Sequence, residues 1–178
     1  MNFVVETSWH NDIFVAFKER GIRLVAHVPD AGHGPLLSMC ADASDLRLVG
    51  LTAEQDGVGL LCGAWAGGSN GVLLMQSSGV GNIVNALSLP LACRIPFLTI
   101  VSMRGEWDEF VPWQVPMGQG APRVLEAMGV VLFRVEDPEQ VGATVKAAAG
   151  LAFNTRQAVA VLLSQKLIGA KRFSAELD

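Results

Sequence analysis

The chain has 178 residues, enough for one domain with a real core, and 51% of them are hydrophobic while 17% are charged. That charged fraction lies below the roughly 25% of ordinary soluble domains, so surface buried against a second copy or a partner subunit is expected. A net charge of −4 with no basic stripe excludes nucleic acid as a main partner.

The N-terminal "MNFVVETSWHND" has neither a basic start nor a long apolar run, so no signal peptide is expected. No apolar stretch reaches membrane-spanning length without interruption. Cys40, Cys62 and Cys93 fit no metal or redox spacing and read as small core residues of a reduced, cytoplasmic protein. "SWHNDIFVAFKERG" predicts a helix capped by Ser8 and stopped by Gly21. "IRLVAHV" is a strand, with His27 as a hydrogen-bonded interior residue, and "PDAGHGP" is a loop broken by glycines and prolines. "LLSMCADA" is a second helix and "LRLVGL" a second strand. Thr52 and Gln55 then have capping-box spacing for a third helix. "GVLLMQ" is a strand, followed by "SSGVGN" and a helix running to about Leu91. "PFLTIVS" is a fourth strand.

The stretch "MRGEWDEFVPWQVPMGQG" reads as long and irregular, and its three large aromatics, Trp107, Phe110 and Trp113, argue for an interface loop or a site wall over disorder. "APRVLEAMG" is helical, "VVLFRV" a strand, "PEQVGATVKAAAGLAFN" a helix and "QAVAVLLS" a last strand. The tail from Gln165 reads as polar, mobile or leading to a partner. Apolar strands separated by helices predict an α/β three-layer sandwich: a mainly parallel sheet of about six strands with helices on both faces. With no repeat or linker, residues 1–178 read as a single domain with its core at about 8–165.

In open parallel sheets, ligands bind beyond the carboxyl ends of the strands. "VPDAGHGP", "LTAEQ" and "MQSSGVGN" leave such ends and are candidates for a shared site. Gly79 and Gly81 permit a tight turn and close approach, while Ser77, Ser78 and free amides can donate hydrogen bonds. A turn needing small residues for packing explains the same motif, which is neither G-x-G-x-x-G nor a Walker loop. Glu54 aligns with Val58, Leu61 and Trp65, so it heads an apolar helix face. Its bland reading is an acid favoured by the helix dipole; its functional reading is a shielded carboxylate that must find a partner. His33 is either an exposed loop histidine or a proton-transfer group. Arg104 either meets an anionic substrate or pairs with Glu106 or Asp108. No metal-ligand set is evident within the chain.

"AEQDGVGLLCGAWAGGSNGVLLMQSSGVGNIVNAL", "VPDAGHGPLL" and "RGEWDEFVPWQVPMG" together resemble the pyrimidine-binding domain of thiamine-diphosphate-dependent enzymes, in particular the sulfopyruvate and phosphonopyruvate decarboxylases. The resemblance runs from about residue 8 to residue 165. It implies that Glu54 hydrogen-bonds the cofactor's aminopyrimidine nitrogen and so activates the cofactor, which serves as electron sink while carbon dioxide leaves a 2-oxo acid. It implies that Pro29 and the run Gln76, Ser77, Ser78 and Gly79 line the pyrimidine, and that Asn82 matches a family Asn of unassigned role. The family's G-D-G…Asn element, which holds magnesium and the diphosphate, has no counterpart: in Asp56-Gly57 the first Gly is replaced by Gln55. The resemblance therefore implies an α-type subunit completed by a separate diphosphate-binding β-type chain, with thiamine diphosphate and Mg2+ held mainly by that partner, and self-association besides. Ala31 replaces the family's loop Ser, and His33 stands where the family has larger apolar residues. His33 as a relay and Arg104 as the substrate's cation are the further candidates. A carboligating thiamine-dependent subunit and a non-catalytic assembly module of the same fold are the alternatives.

Overall fold

The computed structural model describes residues 8–169. The expectations for the N-terminal residues 1–7 and for the end of the tail lie outside that range. Six strands form one all-parallel sheet in the order β2-β1-β3-β4-β6-β5. They are β1 (Ile22–His27), β2 (Arg47–Gly50), β3 (Asn70–Gln76), β4 (Phe97–Ser102), β5 (Val131–Val135) and β6 (Ala158–Leu163). β4 and β6 are buried along their whole length, which is why they read as unbroken apolar runs.

Side chains alternate between the two faces of a strand, and so do the two cores. Val72 and Leu74 of β3 join the cluster under helices α1 (Trp9–Glu19), α2 (Gly34–Asp42) and α7 (Val141–Thr155). Leu73 and Met75 join the opposite cluster with α3 (Glu54–Ala66), α4 (Val80–Ile83), α5 (Ser88–Cys93) and α6 (Val115–Ala127). A short α8 (Gln165–Ile168) follows β6. No helix of the described residues is long and apolar enough to cross a membrane.

Ser8 caps α1 as expected, its hydroxyl accepting from the His10 N–H. The capping box at α3 does not form. Ala53 is the N-cap, with extended backbone and no side-chain cap, so Thr52 sits one residue too early and Glu54 is the first helical residue. The helix expected from "SSGVGN" to Leu91 is broken into α4 and α5 by a run of turns. The last third of the stretch expected to be irregular is helical, because α6 starts at Val115. Pro116 lies in its first turn, where a missing N–H costs nothing. Gly118 is there for a close approach, since a Cβ would collide with the Arg104 carbonyl. The tail, expected to be polar and either mobile or leading to a partner, begins with a fully buried Gln165.

Candidate functional site

Glu54 opens α3 at the carboxyl edge of the sheet and is only 7% exposed. Two glycines of its neighbourhood are dictated by packing. A Cβ on Gly57 would stand 2.6 Å from Leu73 Cδ1, so α3 presses directly onto β3. A Cβ on Gly79 would stand 2.6 Å from the Glu54 carboxyl carbon, so the turn after β3 lies flat against the acid. The Asn82 amide of α4 donates to Glu54 Oε2 at 2.7 Å. Among the described residues no donor reaches Oε1. Glu54, Gly79 and Asn82, noted separately in the sequence, thus form one unit: a shielded carboxylate with one oxygen held and the other unengaged. Val58 and Leu61 are buried below it as the helical spacing predicted, while Trp65 is half-buried.

A second unit, missed in the sequence, is built on Asp30. Asp30 caps a single 3-10 turn over Ala31–His33. Its Oδ2 accepts from Ser102 Oγ at 2.5 Å and from the Gly32 N–H at 3.1 Å, and its Oδ1 accepts from Gln76 Nε2 at 3.1 Å. The Ser78 hydroxyl donates to Gln76 Oε1 at 2.8 Å. The ends of β1, β3 and β4 are therefore tied by one carboxylate. Burial pushes Asp30 upward, but the Ser102 hydroxyl, the His33 ring, the Gln76 amide and the Gly32 N–H outweigh it and hold the carboxyl below its ordinary value. The acid of "VPD" at a strand end was the available signal. The four-residue V-P-D-A segment carries no periodicity that marks it as buried.

His33 is not an exposed loop histidine: it is 1% exposed and its Nε2 donates to the Met75 carbonyl at 3.3 Å. Its Nδ1 is buried with no hydrogen-bond partner among the described residues. Burial drives its pKa down against the pull of Asp30. The hydrogen bonds of His33 do not bring it to Glu54. His27 also departs from expectation, with a buried Nδ1 that has no hydrogen-bond partner among the described residues. Pro29 is exposed at the same edge, and Ser77 is turned inward, its Oγ accepting from the Arg104 N–H at 3.1 Å.

Arg104 pairs with neither Glu106 nor Asp108. It makes a bidentate pair with Glu109 at 2.6 and 2.5 Å, with side-chain exposures of 7% and 3%. The Gly105 and Val111 N–H groups and the Gln165 amide also donate to Glu109. The Arg104 guanidinium, over the opposing effect of burial and with help from those donors, holds the Glu109 carboxyl at about 2. Arg104 Nη1 makes no hydrogen bond among the described residues. Gln165 Oε1 accepts from the Glu106 and Trp107 N–H groups, so the loop after β4 is braced from two sides.

No family model matches the chain. It is 36% identical over 152 residues to the sulfopyruvate decarboxylase subunit alpha of Methanococcus maripaludis, covering 85% of this chain and 91% of that one. It is 31% identical to the protein of the same name from Methanocaldococcus jannaschii, covering 84% and 89%. A phosphonopyruvate decarboxylase of Streptomyces viridochromogenes is 34% identical over 99 residues, which is 55% of this chain and 25% of that one. Among solved structures, the 2-oxoglutarate:ferredoxin oxidoreductase of Magnetococcus marinus superposes with a TM-score of 0.74 over 91% of this chain and 29% of its own, at 15% identity. That likeness concerns the fold.

Proposed function

The chain belongs to the sulfopyruvate decarboxylase subunit alpha family, and from that premise we propose that it is one half of a two-chain decarboxylase of a small anionic 2-oxo acid. The observation that carries the reading is the Glu54 unit: a shielded carboxylate at a sheet edge, one oxygen fixed by Asn82, the other with no donor among the described residues. Such an oxygen fits a ring nitrogen that must be hydrogen-bonded, which is what thiamine diphosphate would present. When bound, that cofactor supplies the electron sink for breaking the bond between the carboxylate and the keto carbon.

The tasks of this chain's residues follow from their places. Glu54 would present Oε1 to the ring nitrogen, in a site where the Gly79 backbone lies flat against the carboxylate. Asn82 fixes its rotamer by holding Oε2. Pro29, Gln76, Ser78 and Gly79 line the approach, and Asp30 locks the Gln76 side chain. Ser77 reaches the cofactor through its backbone, since its hydroxyl is spent on Arg104. Arg104 offers Nη1 to the substrate's acid group, oriented by Glu109. His33 acts from behind, beside Asp30, and a relay through it predicts that His33→Ala alters the pH–rate profile.

We assign the diphosphate and magnesium to a β-type partner carrying G-D-G and a following Asn, because Asp56-Gly57 here lies within α3, with Gly57 packed against Leu73 and Leu51 and Asp56 exposed on the helix surface. The free cysteines suit a cytoplasmic setting. The test is to co-purify this chain with a β-type chain that carries G-D-G and a following Asn, add thiamine diphosphate and magnesium, and offer a panel of sulfonated, phosphonated and carboxylated 2-oxo acids. Carbon dioxide with the matching aldehyde supports the proposal. An acyloin product transfers the chain to carboligation, and no turnover by a tight pair reduces it to an assembly module.

A further inference from the structure

Four of the seven exposed large apolar side chains among the described residues fall between positions 107 and 115. They are Trp107 (55% exposed), Phe110, Trp113 (76%) and Val115. A cluster of this kind on a soluble chain marks a contact surface, and Trp is the residue most enriched among interface hot spots. The segment is also held rigid before any partner arrives. Glu109 sits at its centre and gathers Arg104, Gly105, Val111 and Gln165, while Gln165 pins the Glu106 and Trp107 amides. Gly105, at φ 78°, has no room for a side chain against the Gln114 backbone. The ordering entropy of the loop is thus spent in folding, which lowers the cost of binding through it.

The patch is continuous with the Glu54 unit. Ser77, two residues before Gly79, holds the Arg104 amide, and Met117, two residues after Val115, lies where a side chain on Gly81 would touch it at 3.6 Å. A chain that completes a site at Glu54 approaches the carboxyl edge of the sheet, from which this loop leaves β4. We infer that the Trp107–Val115 segment is the docking surface for the partner subunit implied by the alpha-subunit relatives, with Trp113 and Trp107 as its anchors. The inference rests on the two-chain reading above and adds where the two chains grip. A second copy of this chain is the competing occupant.

The test uses the full chain co-expressed with a β-type chain that carries G-D-G and a following Asn. The dissociation constant of the pair is measured by biolayer interferometry for wild type, Trp107→Ala/Trp113→Ala and Leu89→Ala, the last an exposed apolar residue away from the loop. Circular dichroism verifies folding, and Trp113→Phe serves if the double variant is unfolded. Loss of at least tenfold in affinity for the double variant, or a smaller loss for Trp113→Phe, with Leu89→Ala unchanged, is the expected result. Unchanged affinity in the Trp variants overturns the inference, and so does a shift confined to self-association in sedimentation of the isolated chain. A pair that binds through the loop yet decarboxylates nothing refutes the proposed activity and leaves the docking surface standing. A pair that decarboxylates with affinity insensitive to the Trp changes does the reverse.

Discussion

Gly79→Ala probes the Glu54 unit with one methyl group. Gly79 has φ −70° and ψ −18°, an ordinary right-handed conformation that alanine adopts freely. On backbone grounds alone the substitution stabilises by about 0.4–1 kcal/mol, by narrowing the unfolded ensemble. The obstacle is the acid. The new Cβ would lie 2.6 Å from the Glu54 carboxyl carbon and 2.7 Å from its Cγ, well inside contact distance. Relief requires Glu54 to move by nearly 1 Å, and Asn82 then loses a charge-assisted hydrogen bond of about 1.5–3 kcal/mol. The net effect is a destabilisation of about 2 kcal/mol, or about 4–8 °C in Tm for a chain of this size. In a Glu54→Ala background the clash is gone and the same Gly79→Ala change raises Tm by about 1–3 °C. Calorimetric melting of the four proteins of this cycle reads the sign reversal. Equal effects of Gly79→Ala in both backgrounds would refute the claim that this glycine exists for the carboxylate.

Asn82→Ala leaves Glu54 Oε2 without its donor and is expected to lower turnover of the assembled pair by about 10- to 100-fold, with Tm falling by a few degrees, as read by carbon dioxide release and melting. Glu109 gives a signed pH dependence. Its folded value of about 2 lies below the ordinary 4.5, so its contribution, on the order of 3 kcal/mol, is complete above pH 4.5 and disappears as pH falls toward 2. Urea titrations at pH 6, 4 and 3 are expected to show wild type converging on Glu109→Gln as the acid is protonated. Gly118→Ala forces apart α6 and the Arg104 carbonyl and is expected to cost about 1–3 kcal/mol in the same titrations.

The sheet was legible because β1, β3, β4 and β6 are apolar on both faces, and the turn after β3 because its small residues announce a close approach. Glu54 was legible as an acid on an apolar face. What escaped was whatever depends on tertiary partners. Periodicity cannot say that Gly118 is a helical residue making room for Arg104, so the first turns of α6 carry no helical signal in the sequence. Nor can it tell that Glu109, flanked by Asp108 and Phe110 in a charged segment, is the acid that turns inward while Glu106 reaches Arg134. Asp30 and Gln165 are polar residues beside strands, and only the fold shows that each ties several backbones together.

On the proposed reading, this chain contributes the acid on which decarboxylation depends. Carbon dioxide release by the assembled pair, measured for wild type and Glu54→Gln at equal cofactor and matched folding, tests it most directly. A fall of at least 100-fold with the pair intact is the predicted result, and a glutamine variant that turns over at the wild-type rate contradicts the account.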